Sequence, residues 1–139
     1  MAITHRIYDT LPEEAKKIRQ TVFMKEQGFN SEFDETDNTA KHILIFADEK
    51  SAGTGRFFTD DGKEYHIGRL AVLKQYRGLH LGSELIKAIE SEIRLRGGKT
   101  AVLSAQLRAK GFYEKNGYTA YGDIYFDEHV EHINMKKQL

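Results

Sequence analysis

Residues 76–90 read YRGLHLGSELIKAIE, in which a basic residue and two glycines lead directly into an amphipathic helix. The apolar run LAVL at 70–73 predicts a strand before this loop. Leucine and isoleucine at helical spacing predict a helix from about Leu81 to Arg96. Gly97-Gly98 ends that helix, and the following KTAVLSA predicts a buried strand. We therefore expect residues 66–105 to form one strand–helix–strand crossover with parallel strands.

The rest of the chain predicts further strands and helices around this crossover. Thr10 and Glu13 have capping-box spacing, with Pro12 in the first turn, so a helix is expected to begin there. Asp61-Gly62 is a favoured hairpin dipeptide. The predicted elements are a strand at 3–8, a helix at 10–27 that Gly28 ends, a polar loop with one short helix at 30–41, a strand at 42–48, a hairpin at 53–73, a helix at 109–115, and two strands within 118–139 with a turn near Glu128-His129.

These elements predict an α/β fold of the mixed α+β type. One mostly antiparallel central sheet, with one parallel strand pair and helices on both faces, buries all the apolar stripes. No repeat, low-complexity segment or linker divides the chain. The length of 139 residues suits one compact core, so we expect a single domain over residues 1–139.

The composition excludes several classes of protein and site. There is no cysteine, which excludes disulfides, cysteine-based zinc sites and a cysteine nucleophile. Lys+Arg and Asp+Glu both number 21, and this balance argues against a dedicated nucleic-acid binder. No apolar run is long enough to span a bilayer, and the N-terminus has no apolar signal-peptide core. We expect a cytoplasmic protein without a membrane partner.

The loop at 77–82 has the features of an anion site. The first N–H groups of a helix lack internal partners and lie at the positive end of its dipole. Gly78 and Gly82 carry no side chain that would block an approaching anion, and Arg77 adds forked donors. A pyrophosphate would suit this arrangement, although glycines before a helix more often serve only a turn. Neither a P-loop nor a G-x-G-x-x-G fingerprint occurs in the chain.

This loop and several other segments resemble the GNAT superfamily of acyl-CoA-dependent N-acyltransferases. The signature of that family, [Q/R]-x-x-G-x-[G/A], binds the pyrophosphate of coenzyme A. Here it reads RGLHLG over Arg77–Gly82, with His80 where the first glycine is usual. GFYEKNGY at 111–118 matches a later helix motif of the family. RQTVFMKEQ, SAQ and EHINM are similar to the ElaA-like subgroup. The resemblance covers nearly the whole chain.

The resemblance implies that acetyl-CoA is the acyl donor. Its pantetheine chain is expected to pair with strand backbone where two parallel strands part, and the N–H of Val72 is a candidate to polarise the thioester carbonyl. The expected acetyl-CoA contacts are Leu70, Ala71, Val72, Leu73, Arg77, Gly78, Leu79, His80, Leu81, Gly82, Ser83, Gln106 and Tyr113.

The same resemblance suggests the groups that carry the chemistry. Tyr113 is the candidate general acid for the leaving thiolate, and its alternative role is packing on the sheet. His132 is the first candidate general base, and its alternative is a structural bond to a backbone carbonyl. Glu26 is the second candidate base, and its alternative is an ion pair with Arg19 or a lysine. A positioned water can also serve in place of either base.

Two other patterns contain potential metal ligands, and no metal is expected at either. His129 and His132 form an H-x-x-H pair, but residues three apart in one strand point to opposite faces. The acidic run SEFDETD at 31–37 lacks the ligand spacing and central glycine of an EF-hand. We expect it to be a solvated loop, or a feature that attracts a cationic amine.

The expected function is acetyl transfer from acetyl-CoA to a primary amine of a small molecule, by direct attack within a ternary complex. We expect a monomer or homodimer. The alternatives are a non-catalytic acyl-CoA-binding or regulatory module on the same fold, and a protein or peptide N-acetyltransferase. Tyr113 favours an enzyme, because a binding module has no need of an acid beside the sulfur. The short chain leaves little room for recognition of a peptide.

Overall fold

One seven-stranded sheet organises the computed structural model, which describes residues 1–139. The strands are β1 (Ile3–Tyr8), β2 (Lys41–Ala47), β3 (Lys50–Thr59), β4 (Glu64–Val72), β5 (Thr100–Gln106), β6 (Thr119–Asp127) and β7 (Val130–Gln138). The helices are α1 (Glu13–Arg19), the π-helix Gln20–Glu26 that continues it, α2 (Leu81–Leu95) and α3 (Lys110–Lys115), with short 3₁₀ turns at Glu35–Asn38, Lys74–Tyr76 and Leu107–Ala109. No helix combines the length and apolar character needed to cross a membrane.

The sheet has the predicted mixed topology. Its strand order is β1-β2-β3-β4-β5-β7-β6, and every neighbouring pair is antiparallel except β4 with β5. Helix α2 connects these two parallel strands, as the sequence predicted for residues 66–105. The fold class expected from the sequence is therefore confirmed.

Helices pack on both faces of the sheet. Alternation along β2 shows this, because Ile43 and Ile45 join the core under α2 whereas Leu44 joins the core under α1. On the α1 side, Ala15 and Ile18 pack against Leu44. The central strands are therefore covered on each face, which explains the nearly continuous apolar run of β2.

Helix α2 buries the predicted apolar face and one glutamate that the pattern did not predict. Leu81, Leu85, Ile86, Ile89 and Ile93 are all buried, and Glu90 beside them is only 2 % exposed. The hydroxyl of Tyr118 donates to the Glu90 carboxylate at 2.7 Å, and the Lys137 ammonium donates to it at 3.0 Å. These bonds satisfy the buried charge and tie α2 to β7.

The first helix begins later than predicted and changes its hydrogen bonding part of the way along. Pro12 is the N-cap in an extended conformation and no side chain caps the helix, so the predicted Thr10–Glu13 capping box is wrong. After Arg19 the chain forms a π-helix, in which the Gln27 N–H reaches the Val22 carbonyl five residues back at 3.1 Å.

The acidic run is not a solvated loop, since three of its carboxylates bind three arginines. Together these six side chains form the arginine–carboxylate network: Arg19, Arg56, Arg69, Glu32, Asp34 and Asp37. Arg19, 1 % exposed, donates through Nε to Glu32 at 2.5 Å and through Nη1 to Asp37 at 2.8 Å. Arg56 donates to Asp34 at 2.6 Å and to Asp37 at 2.8 Å. The expectation that this run attracts a cationic amine is therefore wrong for these three carboxylates.

The network holds Asp37 in its ionised form. Burial opposes ionisation, but bonds from Arg19, the Asp34 N–H and Arg56 outweigh it and lower the pKa of Asp37 to about 2. Because this pKa lies below its ordinary value of 3.8, the stabilisation is complete above that value and is lost as the pH falls toward 2.

Replacing Asp37 tests the contribution of the network to stability. Asp37→Asn should lower the free energy of unfolding at pH 7 by roughly 3 kcal/mol or more, because two buried guanidinium groups lose a shared counter-charge. The difference in the free energy of unfolding between variant and wild type should become smaller between about pH 4 and pH 2, because Asp37 of the wild type takes up a proton there. Urea unfolding across this range measures both effects. The control, Asp123→Asn at an exposed carboxylate on β6, should change stability by at most about 0.5 kcal/mol. Equal stability of Asp37→Asn and wild type at pH 7 would contradict this account.

Candidate functional site

The candidate site lies where β4 and β5 separate. Their parallel pairing begins at Glu64 with Thr100 and stops at Ile67 with Leu103. Beyond that point β5 still pairs with β7, and β4 still pairs with β3. The two strands therefore part in the middle of the sheet and leave one edge of each without a partner.

A bulge in β4 accompanies the parting. Arg56 pairs with Gly68 and Thr54 pairs with Ala71, so two residues of β4 lie opposite one residue of β3. The first of them, Arg69, has a φ of 53°, which is costly for a residue with a side chain. Its guanidinium group donates to the Glu32 carbonyl at 2.8 Å and to Asp34 at 3.2 Å, which stabilises the bulge.

The free edge of β4 presents backbone groups to the gap. The N–H of Leu73 donates to the Ala52 carbonyl of the neighbouring chain segment at 2.9 Å. Successive residues of a strand direct their N–H groups to opposite sides, so the N–H of Val72 points away from β3. The group proposed to polarise a thioester carbonyl thus faces the parting between the strands.

A cavity of about 250 Å³ occupies the parting. Four expected site residues line it, namely Leu70, Gln106, Tyr113 and His132. Two more lining residues, Phe23 and Gln27, were noted only as matches to the ElaA-like subgroup. The sequence did not mark the remaining ones, which are Phe29, Ser31, Glu32, Ile67, Gly68, Arg69, Leu103, Ser104, Arg108, Ala109 and Asp127. Several of the lining residues lie on the π-helix or on the following segment, 27–32, which the arginine–carboxylate network holds in place. No sequence pattern predicts the conformation of either segment.

Tyr113 lies on α3 with its ring against Phe112 and Tyr118, at centroid distances of 5.1 Å and 6.0 Å. The ring is half-buried, and its hydroxyl group has no hydrogen-bond partner in the protein. Burial raises the pKa of the hydroxyl to about 12, so it keeps its proton at neutral pH. This arrangement leaves a protonated donor at the wall of the cavity.

His132 lies on β7, directly opposite Gln106 of β5 and Tyr125 of β6. Its Nδ1 donates to the Val130 carbonyl at 3.0 Å, and its ring stacks on Tyr125 at 6.0 Å. A proton on Nδ1 leaves Nε2 as the basic nitrogen of the neutral ring. The bond to a backbone carbonyl that was expected of a purely structural His132 is therefore present. The same bond places the proton on Nδ1, which is the tautomer that a base acting through Nε2 requires.

Two glutamines join the π-helix to β5 at the cavity wall. The Gln106 amide donates to the Gln27 side-chain oxygen at 2.8 Å, and Arg108 Nε donates to the Gln106 oxygen at 3.0 Å. Gln106 was expected to contact acetyl-CoA. In the structure its polar groups position the cavity walls relative to one another.

The loop before α2 contains two residues in the left-handed conformation. His80 is the N-cap of α2 with a φ of 61°, a left-handed conformation that glycine adopts more readily than histidine. Gly78 has a φ of 81° and open space beside it, whereas a Cβ on Gly82 would lie 3.2 Å from the Phe112 ring. The structure thus gives Gly82 a packing role beside Phe112, and its expected role of leaving room for an anion stays a prediction.

The remaining loop residues differ in exposure. Leu79 is exposed and Leu81 is buried in the core. The Ser83 hydroxyl accepts a bond from the Asn116 amide at 3.4 Å.

Glu26 and Arg77 bind each other. The two terminal nitrogens of Arg77 contact the Glu26 carboxylate at 2.9 Å and 3.1 Å, and Arg77 Nε donates to the Val72 carbonyl at 3.0 Å. Glu26 does not line the cavity. The predicted structural partner, Arg19 or a lysine, was wrong, because the partner is Arg77 and Arg19 belongs to the network.

His129 lies in the turn between β6 and β7, which confirms the turn predicted near Glu128-His129, whereas His132 lies on β7. Its Nε2 bonds to the Gln27 carbonyl at 2.7 Å, and its ring packs 5.3 Å from Phe29. The ring of His132 packs edge-on against the same Phe29 ring, with the two ring centroids 6.5 Å apart. The two histidines therefore anchor the segment around Phe29. No group of three or more potential metal ligands occurs in the structure.

Comparison with known sequences identifies a matching family and relatives of this chain. Residues 8–139 match the sequence profile described as the acetyltransferase (GNAT) domain. The uncharacterized N-acetyltransferase YjcF of Bacillus subtilis (strain 168) is 34% identical over 128 residues, which cover 90% of this chain and 91% of YjcF.

Solved structures show the same fold. ElaA of Escherichia coli superposes with a TM-score of 0.86 at 23% identity, over 98% of this chain and 99% of ElaA. An aminoglycoside 6'-N-acetyltransferase complexed with coenzyme A superposes with a TM-score of 0.75 at 15% identity, over 99% of this chain and 97% of that enzyme. The profile match and the similarity to YjcF establish that the chain belongs to the GNAT family of acetyltransferases.

Proposed function

We propose that the protein transfers an acetyl group from acetyl-CoA to a primary amine of a small molecule, by direct attack of the amine on the thioester. One observation carries the proposal. The parting of β4 and β5 opens a cavity that brings together an unbonded tyrosine hydroxyl, a histidine with its Nε2 free of protein bonds, and an unpaired strand edge.

The chain has suitable groups for acetyl-CoA, which would supply the activated acetyl group. The Val72 N–H on the free edge of β4 would donate to the thioester carbonyl. The first N–H groups of α2, approached over Gly78, would bind the pyrophosphate. That the aminoglycoside acetyltransferase with the same fold was solved with coenzyme A supports this assignment.

The side chains of the cavity would move two protons. Nε2 of His132 would take a proton from the acceptor ammonium, since only a neutral amine attacks a carbonyl. The Tyr113 hydroxyl would donate its proton to the departing thiolate. An unbonded, protonated tyrosine at this position favours catalysis over simple acyl-CoA binding, because binding alone has no need of a proton donor there.

Removal of the Tyr113 hydroxyl tests the acid. Tyr113→Phe keeps the ring but should lower turnover about 100-fold or more, because the thiolate then leaves without a proton donor. Affinity for acetyl-CoA, measured by calorimetry, should stay close to that of wild type. Tyr121→Phe removes a hydroxyl from an exposed ring on β6 and serves as the control. Wild-type turnover in Tyr113→Phe would assign Tyr113 to packing alone.

Replacement of His132 tests the base. His132→Asn should bind acetyl-CoA normally, lose about 100-fold or more in turnover, and lose the acidic limb of the pH–rate profile, because asparagine cannot accept the proton. Thiol release measured across pH gives both quantities. His5→Asn, at an exposed histidine on β1, is the control. A purely structural His132 predicts instead a lower melting temperature and an unaltered profile in the remaining activity.

A further inference from the structure

Four charged side chains line the cavity, and two of them have no partner of opposite charge. Arg69 and Glu32 belong to the arginine–carboxylate network and are neutralised there. Arg108 has no carboxylate within 4.0 Å, and Asp127 has no cation within that distance. Arg108 uses only Nε, on Gln106, so both terminal nitrogens of its guanidinium group are free.

Strand register places these two free charges on either side of the candidate base. His132 on β7 lies between Gln106 of β5 and Tyr125 of β6. β5 and β6 run in the same direction, since each is antiparallel to β7. Arg108 lies in the 3₁₀ turn directly after β5, and Asp127 is the last residue of β6, so both lie at the same end of the sheet, each two residues after the partner of His132. The backbones of β5 and β6 are about 10 Å apart across β7.

We propose that the acceptor is a small zwitterion, an amine that also carries a carboxylate, as in an amino acid. This inference rests on the proposed function and specifies its acceptor. The free fork of Arg108 suits a carboxylate, which it can bind through two parallel N–H bonds. Asp127 offers a counter-charge for the incoming ammonium beside His132.

The charges of the cavity disfavour an acceptor with several amines. A second ammonium would face the guanidinium groups of Arg69 and Arg108, and only one carboxylate in the cavity lacks a partner. A zwitterion leaves no charge in the cavity unpaired, because its two ends complement Asp127 and Arg108. The small volume of the cavity, about 250 Å³, also suits a compact acceptor.

The reaction changes the charge of the acceptor in a way that favours release. The ammonium gives one proton to His132. The amine nitrogen then forms a bond to the acetyl carbon and loses a second proton to solvent, and the bond from that carbon to sulfur breaks. The thiolate then takes a proton from Tyr113, which recovers one from solvent. The product is an N-acetyl carboxylate without the ammonium, so Asp127 attracts the substrate but not the product.

A matched panel of acceptors tests this assignment in the purified full-length protein. The panel consists of amino acids, the carboxamides of the same amino acids, and alkyl diamines, and the readout is kcat/KM from thiol release. Free amino acids should exceed their carboxamides, and Arg108→Gln should lower kcat/KM for free amino acids by roughly 10- to 100-fold. Because the variant also loses the bond from Nε to Gln106, kcat/KM for the carboxamides should fall too, but much less than kcat/KM for the free amino acids, and the affinity for acetyl-CoA should stay nearly unchanged. The control is Arg94→Gln, which replaces an exposed arginine on α2 outside the cavity. It should change neither kcat/KM for any acceptor nor the affinity for acetyl-CoA.

The possible outcomes separate this inference from the proposed function. If carboxamides or diamines react as well as free amino acids, or if Arg108→Gln slows all of them equally, the zwitterion assignment is overturned and acetyl transfer stands. If no amine in the panel releases thiol or binds to the protein saturated with coenzyme A, both proposals are wrong. A loss of acetyl-CoA affinity in Arg108→Gln would assign Arg108 to the donor and overturn this inference.

Discussion

Parallel pairing between β4 and β5 stops at Ile67 and Leu103, and the rest of the site depends on that stop. A sheet normally satisfies every backbone group of its inner strands, so a parting at its centre leaves N–H and carbonyl groups free for a ligand. It also opens a cavity between two rigid strands. The side chains around this cavity are held by hydrogen-bonded strands and helices instead of by a mobile loop.

The parting is stabilised from the other side of the cavity by buried charge. Arg69 keeps β4 in its bulge through bonds to Glu32 and Asp34, and Arg19 fixes Glu32 from α1. The segment that carries Phe29 and Ser31 is thereby fixed at the cavity wall, where Phe29 packs against His132. Breaking one partner of such a network costs more than the network itself contributes, because the charges that remain are buried and unpaired.

Much of the fold was predictable because it follows from local patterns. Alternating apolar and polar residues predicted β1, and apolar residues at helical spacing predicted α2. The dipeptide Asp61-Gly62 predicted the hairpin between β3 and β4. The π-helix was not predictable, since its residues have the same apolar spacing as an ordinary helix. Nor was the network, because the acidic residues 32–37 reveal nothing in sequence about the arginines 13 to 37 positions away that bind them.

For the site, sequence motifs identified Tyr113, His132 and Gln106, which the structure brings to one cavity. The ion pair of Arg77 with Glu26 joins two residues 51 positions apart, and only the folded chain reveals it. The same is true of Arg108 and Asp127, which no motif marks. Pairs of residues that are far apart in the sequence and meet only in the folded chain are thus the ones that the sequence does not reveal.

The most direct test of the account is a crystal structure of the protein with coenzyme A. The pantetheine chain is expected to lie in the parting and to bond to the free edge of β4 at Val72. The pyrophosphate is expected at the start of α2, and the thiol sulfur within hydrogen-bond reach of the Tyr113 hydroxyl. Coenzyme A bound outside the parting would contradict the proposed site. So would a thiol sulfur that lies far from Tyr113 and on the opposite side of the sheet from His132.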